Sequence, residues 1–227
     1  MKKFVFLILS LLNAGLCAVY LALCPKDIIP THYGITGEAD GFSSKWTMLI
    51  LPAVLVIIGI IYAIYRVVTE DNADAKANRK YTVKVVSGIF IFFLVLIWIF
   101  LVMTTQNVLN INGFFPAFMC FAFGGLMIFI SNLLSKIKQN SYLGIRTIST
   151  LYSEKIWKKT HRLGAYLGVF GGIAMITCGV LSIFFSEIAY VLFFAGLGVF
   201  IVTALFIPTA YARVLYGREK KQSISEI

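Results

Sequence analysis

Charged side chains are scarce in this sequence, and their scarcity excludes an ordinary soluble fold. Asp, Glu, Lys and Arg make up 13% of the 227 residues, about half the share in soluble domains. Six apolar windows, which carry no charge or histidine well inside them, cover residues 4–23, 46–68, 83–105, 113–135, 163–184 and 188–211. A helix of about 20 such residues spans a bilayer, whereas open strands would leave backbone groups unpaired in lipid. The sequence predicts an all-α, multi-pass membrane protein, a bundle of six transmembrane helices.

Groups that carry out catalysis are equally few. The two histidines, His32 and His161, fall on opposite sides of the predicted membrane, about 30 Å apart. No span contains a carboxylate, and the four cysteines form no C-x-x-C pair. We therefore expect no enzyme activity, no cofactor and no metal site. Ion-driven transport normally needs ionisable groups within the bundle, but a passive path for an apolar solute stays open.

The basic residues are abundant and unevenly distributed. Of the 20 lysines and arginines, all except Lys26 and Lys45 lie in segments that the six spans place on the same side of the membrane. Loops rich in Lys and Arg stay in the cytoplasm, so both termini are predicted to be cytoplasmic. This topology and anionic lipid headgroups account for the net charge of +10 without a nucleic acid partner.

The apolar windows divide the single predicted membrane domain into segments. Residues 1–68 form a two-span module with an extracellular loop, 24–45, whose prolines and glycines favour a chain of tight turns. A short polar linker, 69–82, leads to a four-span module, 83–211, with a cytoplasmic loop at 136–162. The basic tail, 212–227, is expected to be disordered.

The extracellular loop offers polar and aromatic side chains. His32, Glu38 and Asp40 could hold a cation, although such donors in a glycine-rich loop more often form turns and caps. Alternatively, Tyr33, Trp46 and their neighbours could dock a ligand. A third interpretation is an ordered lid without a ligand.

The cytoplasmic loop holds seven of the basic residues, one histidine and one of the three tryptophans. Ser153 is a good N-cap, and Glu154 suits the first turn of a helix. Trp157 and His161, four residues apart, share a face of that helix. Lipid anchoring explains the tryptophan and the lysines, whereas Arg146 could brace its own loop through carbonyl groups or bind a partner.

The fifth window carries glycines at a spacing of four residues, Gly164, Gly168 and Gly172. Small residues at this spacing let another helix approach closely. Packing within the monomer is the favoured interpretation over a dimer seam, and the oligomeric state stays open.

The cytoplasmic loop contains a characteristic run of residues: Asn140, Gly144, Ile145, Arg146, Thr147, Thr150, Leu151, Ser153, Glu154, Trp157, Lys159, Thr160, His161, Arg162 and Gly164. This run resembles the signature of the SdpI family of bacterial membrane proteins. The extracellular loop resembles the module that often precedes that signature. Its matching residues are Pro30, His32, Tyr33, Gly34, Gly37, Asp40, Gly41, Ser44, Lys45 and Trp46, followed by Pro52.

The resemblance implies an immunity protein of the bacterial cytoplasmic membrane, which protects the cell against a secreted antimicrobial peptide. It also implies a receptor that captures a small DNA-binding repressor on its cytoplasmic side once the toxin is engaged. The signature residues would then serve either signalling or structure. A passive, permease-like envelope protein without toxin specificity is the alternative.

Overall fold

The computed structural model describes residues 3–34, 39–106 and 114–225. Within these ranges it contains six helices that are long and apolar enough to cross a membrane, which confirms the predicted all-α membrane architecture. The single-segment spans are α1 (Val5–Leu23), α2 (Ile50–Val68), α3 (Ala73–Gln106), α4 (Phe114–Leu134) and α6 (Glu154–Phe184). The last span joins α7 (Ala189–Ile201), a π-helical turn (Val202–Phe206) and α8 (Ile207–Ser225). A short helix, α5 (Ile148–Tyr152), precedes α6.

Two segments are more helical than their sequence suggests. The predicted linker 69–82 is mostly the start of α3, because Asn72 accepts a hydrogen bond from the backbone N–H of Ala75 at 2.9 Å and caps the helix. The tail, predicted to be disordered, is helical through Ser225, where α8 ends. Tyr216 on α8 packs edge-to-face against Tyr152 with ring centroids 4.9 Å apart, which ties the tail to α5.

Contacts between residues divide the chain into two compact units, and the boundary within α3 falls between Gly88 and Ile89. The first unit comprises Met1–Asp71 and Ile89–Phe115. In this unit α1 and α2 approach closely, since a Cβ at Gly59 would lie 2.9 Å from the Cα of Leu7. The module boundaries drawn from the sequence stay a prediction.

The loop predicted to be extracellular is an antiparallel β-hairpin rather than a chain of tight turns alone. Its strands are β1 (Ile28–Tyr33) and β2 (Ala39–Ser44), with Ile28 opposite Ser44. The register shifts between Pro30 and Tyr33, as expected where a proline cannot donate to the ladder. Alternation of half-buried and exposed residues along β2 is typical of a strand with one partly covered face.

The second unit comprises Asn72–Gly88 and Pro116–Ile227. Here the glycine stripe of α6 lies against α4, within the same chain. A Cβ at Gly172 would lie 3.0 Å from the carbonyl oxygen of Gly124, and the Cβ of Ser131 lies 3.0 Å from the corresponding position at Gly168. These contacts are the packing within the monomer that the spacing favoured.

A second face of α6 packs against the last span through Gly171. A Cβ there would lie 2.9 Å from the Cα of Phe200 and close to the hydroxyl of Thr203. The four-residue spacing does not include Gly171, so the sequence analysis missed this contact.

Candidate functional site

The loop at 136–162, predicted to be cytoplasmic, begins with a turn held by Asn140. Its amide nitrogen donates to the carbonyls of Lys138 and Leu143 at 2.7 and 3.1 Å. Its amide oxygen accepts from the backbone N–H groups of Tyr142 and Leu143, each at 2.7 Å. The side chain is buried, and these four bonds use its donors and acceptor fully. Asn140 therefore shapes the loop.

A residue that the sequence analysis missed, Asn78 on α3, holds the same turn from the other side. Its amide donates to the carbonyl of Lys138 at 3.2 Å and accepts from the backbone N–H of Lys138 at 2.8 Å. Asn78 is 1% exposed. The local sequence does not indicate this role, because Asn78 lies in a segment predicted to be a linker and its hydrogen-bond partner lies 60 residues away in the chain.

Trp157 is fully buried, so the lipid-anchoring interpretation is wrong for this residue. Its indole N–H donates to the carbonyl of Ile137 at 2.8 Å. The ring stacks on His161 with centroids 3.9 Å apart and an interplanar angle of 19°. Trp157 thus joins the beginning of the loop after α4 to α6.

His161 is neutral, as its two hydrogen bonds require. Nδ1 lies 2.9 Å from the carbonyl oxygen of Trp157, which can only accept, so Nδ1 carries the hydrogen. Nε2 accepts from the backbone N–H of Ile145 at 3.1 Å and must keep its lone pair. The ring is 1% exposed. Both ring nitrogens are therefore engaged in hydrogen bonds to the backbone, and neither is free to take part in catalysis or to bind a metal.

Gly144 closes this arrangement at a backbone angle that favours glycine. Its φ is +115°, far from the regions that residues with a side chain adopt. A Cβ at this position would collide with Nε2 of His161 and lie 3.2 Å from Cζ2 of Trp157. We call Ile137, Gly144, Ile145, Trp157 and His161 the Trp–His cluster.

The Gly-Ile-Arg-Thr segment ends in a capping box at the start of α5. The Thr147 hydroxyl accepts from the N–H of Thr150 at 3.2 Å, and Thr150 accepts in return from the N–H of Thr147 at 2.8 Å. Thr150 also donates to the carbonyl of Ile145 at 2.8 Å. Arg146 donates to the carbonyl of Ser141, which is the bracing contact that the loop's composition suggested.

The start of α6 follows the sequence prediction and adds a contact with the tail. Ser153 caps the helix by accepting from the N–H of Ile156 at 3.2 Å. The same hydroxyl donates to Glu219 on α8 at 2.8 Å. Glu154 pairs with Lys158 at 2.8 Å. Thr160, one turn further, is buried, and its hydroxyl has no hydrogen-bond partner within the described ranges.

The signature residues therefore separate into two sets. The buried set forms the Trp–His cluster and the turns around it, and its polar atoms, except that of Thr160, are used internally. The exposed set consists of Arg146, Leu151, Glu154, Lys159 and Arg162, and its neighbours Ile148 and Lys158, which are outside the signature, are exposed as well.

Lys45, directly after the hairpin, is a structural residue. Its ammonium group is buried, donates to the carbonyl of Cys24 at 2.8 Å and lies 3.3 Å from Asp27. These contacts fix the hairpin to the end of α1.

The proposed cation ligands of this loop pair with each other instead. Nδ1 of His32 lies 2.5 Å from a carboxylate oxygen of Asp40 across the two strands, and both side chains are exposed. The third proposed ligand, Glu38, lies outside the described residues, as does Gly37 of the same loop. Among the residues that are described, no group of three or more His, Cys, Asp or Glu could hold a metal.

The hairpin also displays apolar side chains to its surroundings. Ile28 and Phe42 are 67% and 63% exposed, and Trp46 in the turn after β2 is 47% exposed. On β1, Pro30 is buried and Tyr33 is half-buried. Ile28, Phe42 and Trp46 belong to a surface rather than a cavity, so they suit contact with an apolar ligand more than catalysis.

Two family profiles match the chain. Residues 136–211 match the SdpI/YfhL protein family, and residues 8–65 match a domain of unknown function, DUF1648. No curated protein and no solved structure matches the chain significantly. The first match includes the whole Trp–His cluster, and the second includes the hairpin.

Proposed function

Since the chain belongs to the SdpI/YfhL protein family through residues 136–211, a membrane family of immunity type, we propose that it protects a bacterial cell against a secreted antimicrobial peptide. The observation that carries this proposal beyond the family is the hairpin. It presents exposed apolar side chains on a fixed support at the end of the spans predicted to face outward.

The chemistry of the hairpin suits an amphipathic, cationic peptide. Phe42 and Ile28 lie near each other on paired strands and offer apolar contact area. The Asp27 side chain is 92% exposed and so can meet a positive charge. Because Lys45 and the strand pairing hold the hairpin, a bound peptide would not have to order it first, which favours affinity.

Phe42 is expected to be required for protection. Expression of the wild-type chain in a peptide-sensitive bacterium should raise survival against one or more cationic amphipathic peptides in a panel. Phe42→Ala should reduce this protection about tenfold, because an exposed aromatic side chain is a typical anchor of an interface. The measurement is the concentration of peptide that halves survival, at matched amounts of protein in the membrane.

The matched control is Phe4→Ala. Phe4 is also exposed, at 43%, but lies at the other end of α1, so protection should be unchanged. Equal effects of the two substitutions would contradict a role for the hairpin. A wild-type chain that protects against none of the peptides would contradict the proposed function itself.

We further propose that the protein signals by binding a small DNA-binding repressor through α5. This helix shows apolar side chains at a surface predicted to be cytoplasmic, with Ile148 85% and Leu151 41% exposed. The basic residues around them would favour an acidic partner. Exposed apolar side chains surrounded by charge are typical of a surface that a second protein covers.

Ile148→Ser is expected to abolish recruitment of the repressor without affecting protection. The substitution removes apolar contact area from the first residue of α5 and leaves the Trp–His cluster intact. Recruitment is measured as membrane localisation of a fluorescent repressor encoded beside the gene. Ile224→Ser on α8, where the isoleucine is 64% exposed, is the control. No recruitment by the wild type, or an equal loss in the control, would contradict the proposal.

A further inference from the structure

A groove of about 400 Å³ lies between the end of α4 and the first half of α6. One end is polar and basic, with Ser135 just after α4 and Lys158 and Arg162 from α6. The other end is formed by Ala165, Tyr166 and Val169 of α6, and Asn132 of α4 also lines the groove. The groove belongs entirely to the second unit.

The lining residues on α6 form a single stripe along the helix. Positions 158, 162, 165, 166 and 169 recur at the three- and four-residue spacing of one face. From Leu163 to Phe184 the helix carries no charged residue. The groove therefore crosses from the polar beginning of α6 into its apolar portion, which is the level where headgroups meet hydrocarbon in a membrane.

Arg162 supplies a positive charge that the described part of the chain does not neutralise. Its guanidinium lies 6.0 Å from the centre of the Tyr166 ring, and none of the ion pairs between described residues includes it. Lys158, by contrast, pairs with Glu154 at 2.8 Å. Arginine binds phosphate through a planar fork of donors, and the hydroxyl of Ser135 lies on the same groove.

We propose that this groove binds an anionic phospholipid, with Arg162 and Ser135 on its phosphate and an acyl chain along Tyr166 and Val169. A phosphate group alone would use only the polar end. The apolar end continues along α6 to the exposed side chains of Phe170 and Ile173, at 60% and 53%. This continuity with an apolar, lipid-facing surface favours a phospholipid over a free phosphate ion.

The test is native mass spectrometry of the purified full-length protein in detergent. Phosphatidylglycerol and phosphatidylcholine with identical acyl chains are added at equal concentration, with and without inorganic phosphate. We expect several-fold more phosphatidylglycerol than phosphatidylcholine bound. Arg162→Gln should lower bound phosphatidylglycerol about tenfold, whereas Arg162→Lys should keep part of the binding because the charge remains.

Lys159→Gln is the matched control, since it removes a charge from an exposed neighbour that does not line the groove. Its phosphatidylglycerol binding should equal that of the wild type, as should the thermal stability of every variant. Equal binding of the two lipids, or an equal loss in Lys159→Gln and Arg162→Gln, would overturn the site. Full displacement of the lipid by phosphate would assign the groove to a free phosphate instead. Unchanged phosphatidylglycerol binding in Arg162→Gln would mean that Arg162 does not hold the lipid phosphate and would assign this side chain to contact with a protein. That result would also overturn the proposal.

Discussion

Trp157→Ala should destabilise the protein by about 3–5 kcal/mol, the usual loss when a buried tryptophan is truncated. Trp157 has no exposed surface, and its ring stacks on His161. Its indole N–H is the hydrogen-bond donor that joins the loop after α4 to α6. The measurement is the free energy of unfolding in mixed micelles as the fraction of denaturing detergent rises, together with the amount of protein in the membrane.

Two further substitutions separate the causes. Trp157→Phe keeps a stacked ring but leaves the carbonyl of Ile137 without its donor, so we expect a smaller loss of about 1–3 kcal/mol. Trp46→Ala removes a tryptophan that is 47% exposed and should change stability by less than about 1 kcal/mol, as surface substitutions do. If Trp157→Ala were no more destabilising than Trp46→Ala, the Trp–His cluster would not be a structural core.

The same geometry changes how variants in the family signature should be interpreted. His161 lies in the buried cluster, with both ring nitrogens bonded, so its substitution is expected to lower the amount of folded protein. A loss of protection or signalling in such a variant would follow from that lower amount. Ile148 and Arg162 lie on the exposed surface, and their substitution tests binding without disturbing the cluster.

Hydropathy predicted the six spans because each has to bury about 20 residues in lipid, which is a local property of the sequence. It missed the helical tail and the helical start of α3 for the same reason. These segments are polar, and contacts that are distant in sequence stabilise them, such as Ser153 with Glu219. Hydropathy also carries no information on strand pairing, so the sequence predicts only tight turns where the structure has a hairpin.

In the candidate site, local rules predicted the cap at Ser153 and the shared face of Trp157 and His161. They could not predict that this face turns inward onto the loop. Trp157 was read as an interfacial residue because tryptophan beside lysines is typical of a membrane boundary. Its burial depends on Ile137, 20 residues earlier, and on Asn78, which fixes the intervening turn from α3.

Gly144→Ala is expected to destabilise the protein by about 2–4 kcal/mol, for two independent reasons. A φ of +115° is a backbone conformation that costs a residue with a side chain about 1–3 kcal/mol. The added Cβ would also collide with Nε2 of His161 and displace the ring from the N–H of Ile145. Unfolding in mixed micelles measures the total effect.

A double substitution and a matched control divide that effect between backbone strain and the collision. In Gly144→Ala with His161→Ala the collision with Nε2 is absent, so the added penalty for Gly144→Ala should fall to the backbone strain and the 3.2 Å contact with Cζ2 of Trp157. Gly125→Ala on α4 meets nothing within 4 Å and should be neutral or slightly stabilising, because alanine favours a helix over glycine. If Gly144→Ala resembled Gly125→Ala, neither the strain nor the collision would hold. If instead its penalty were the same with and without His161, the backbone alone would require glycine at this position.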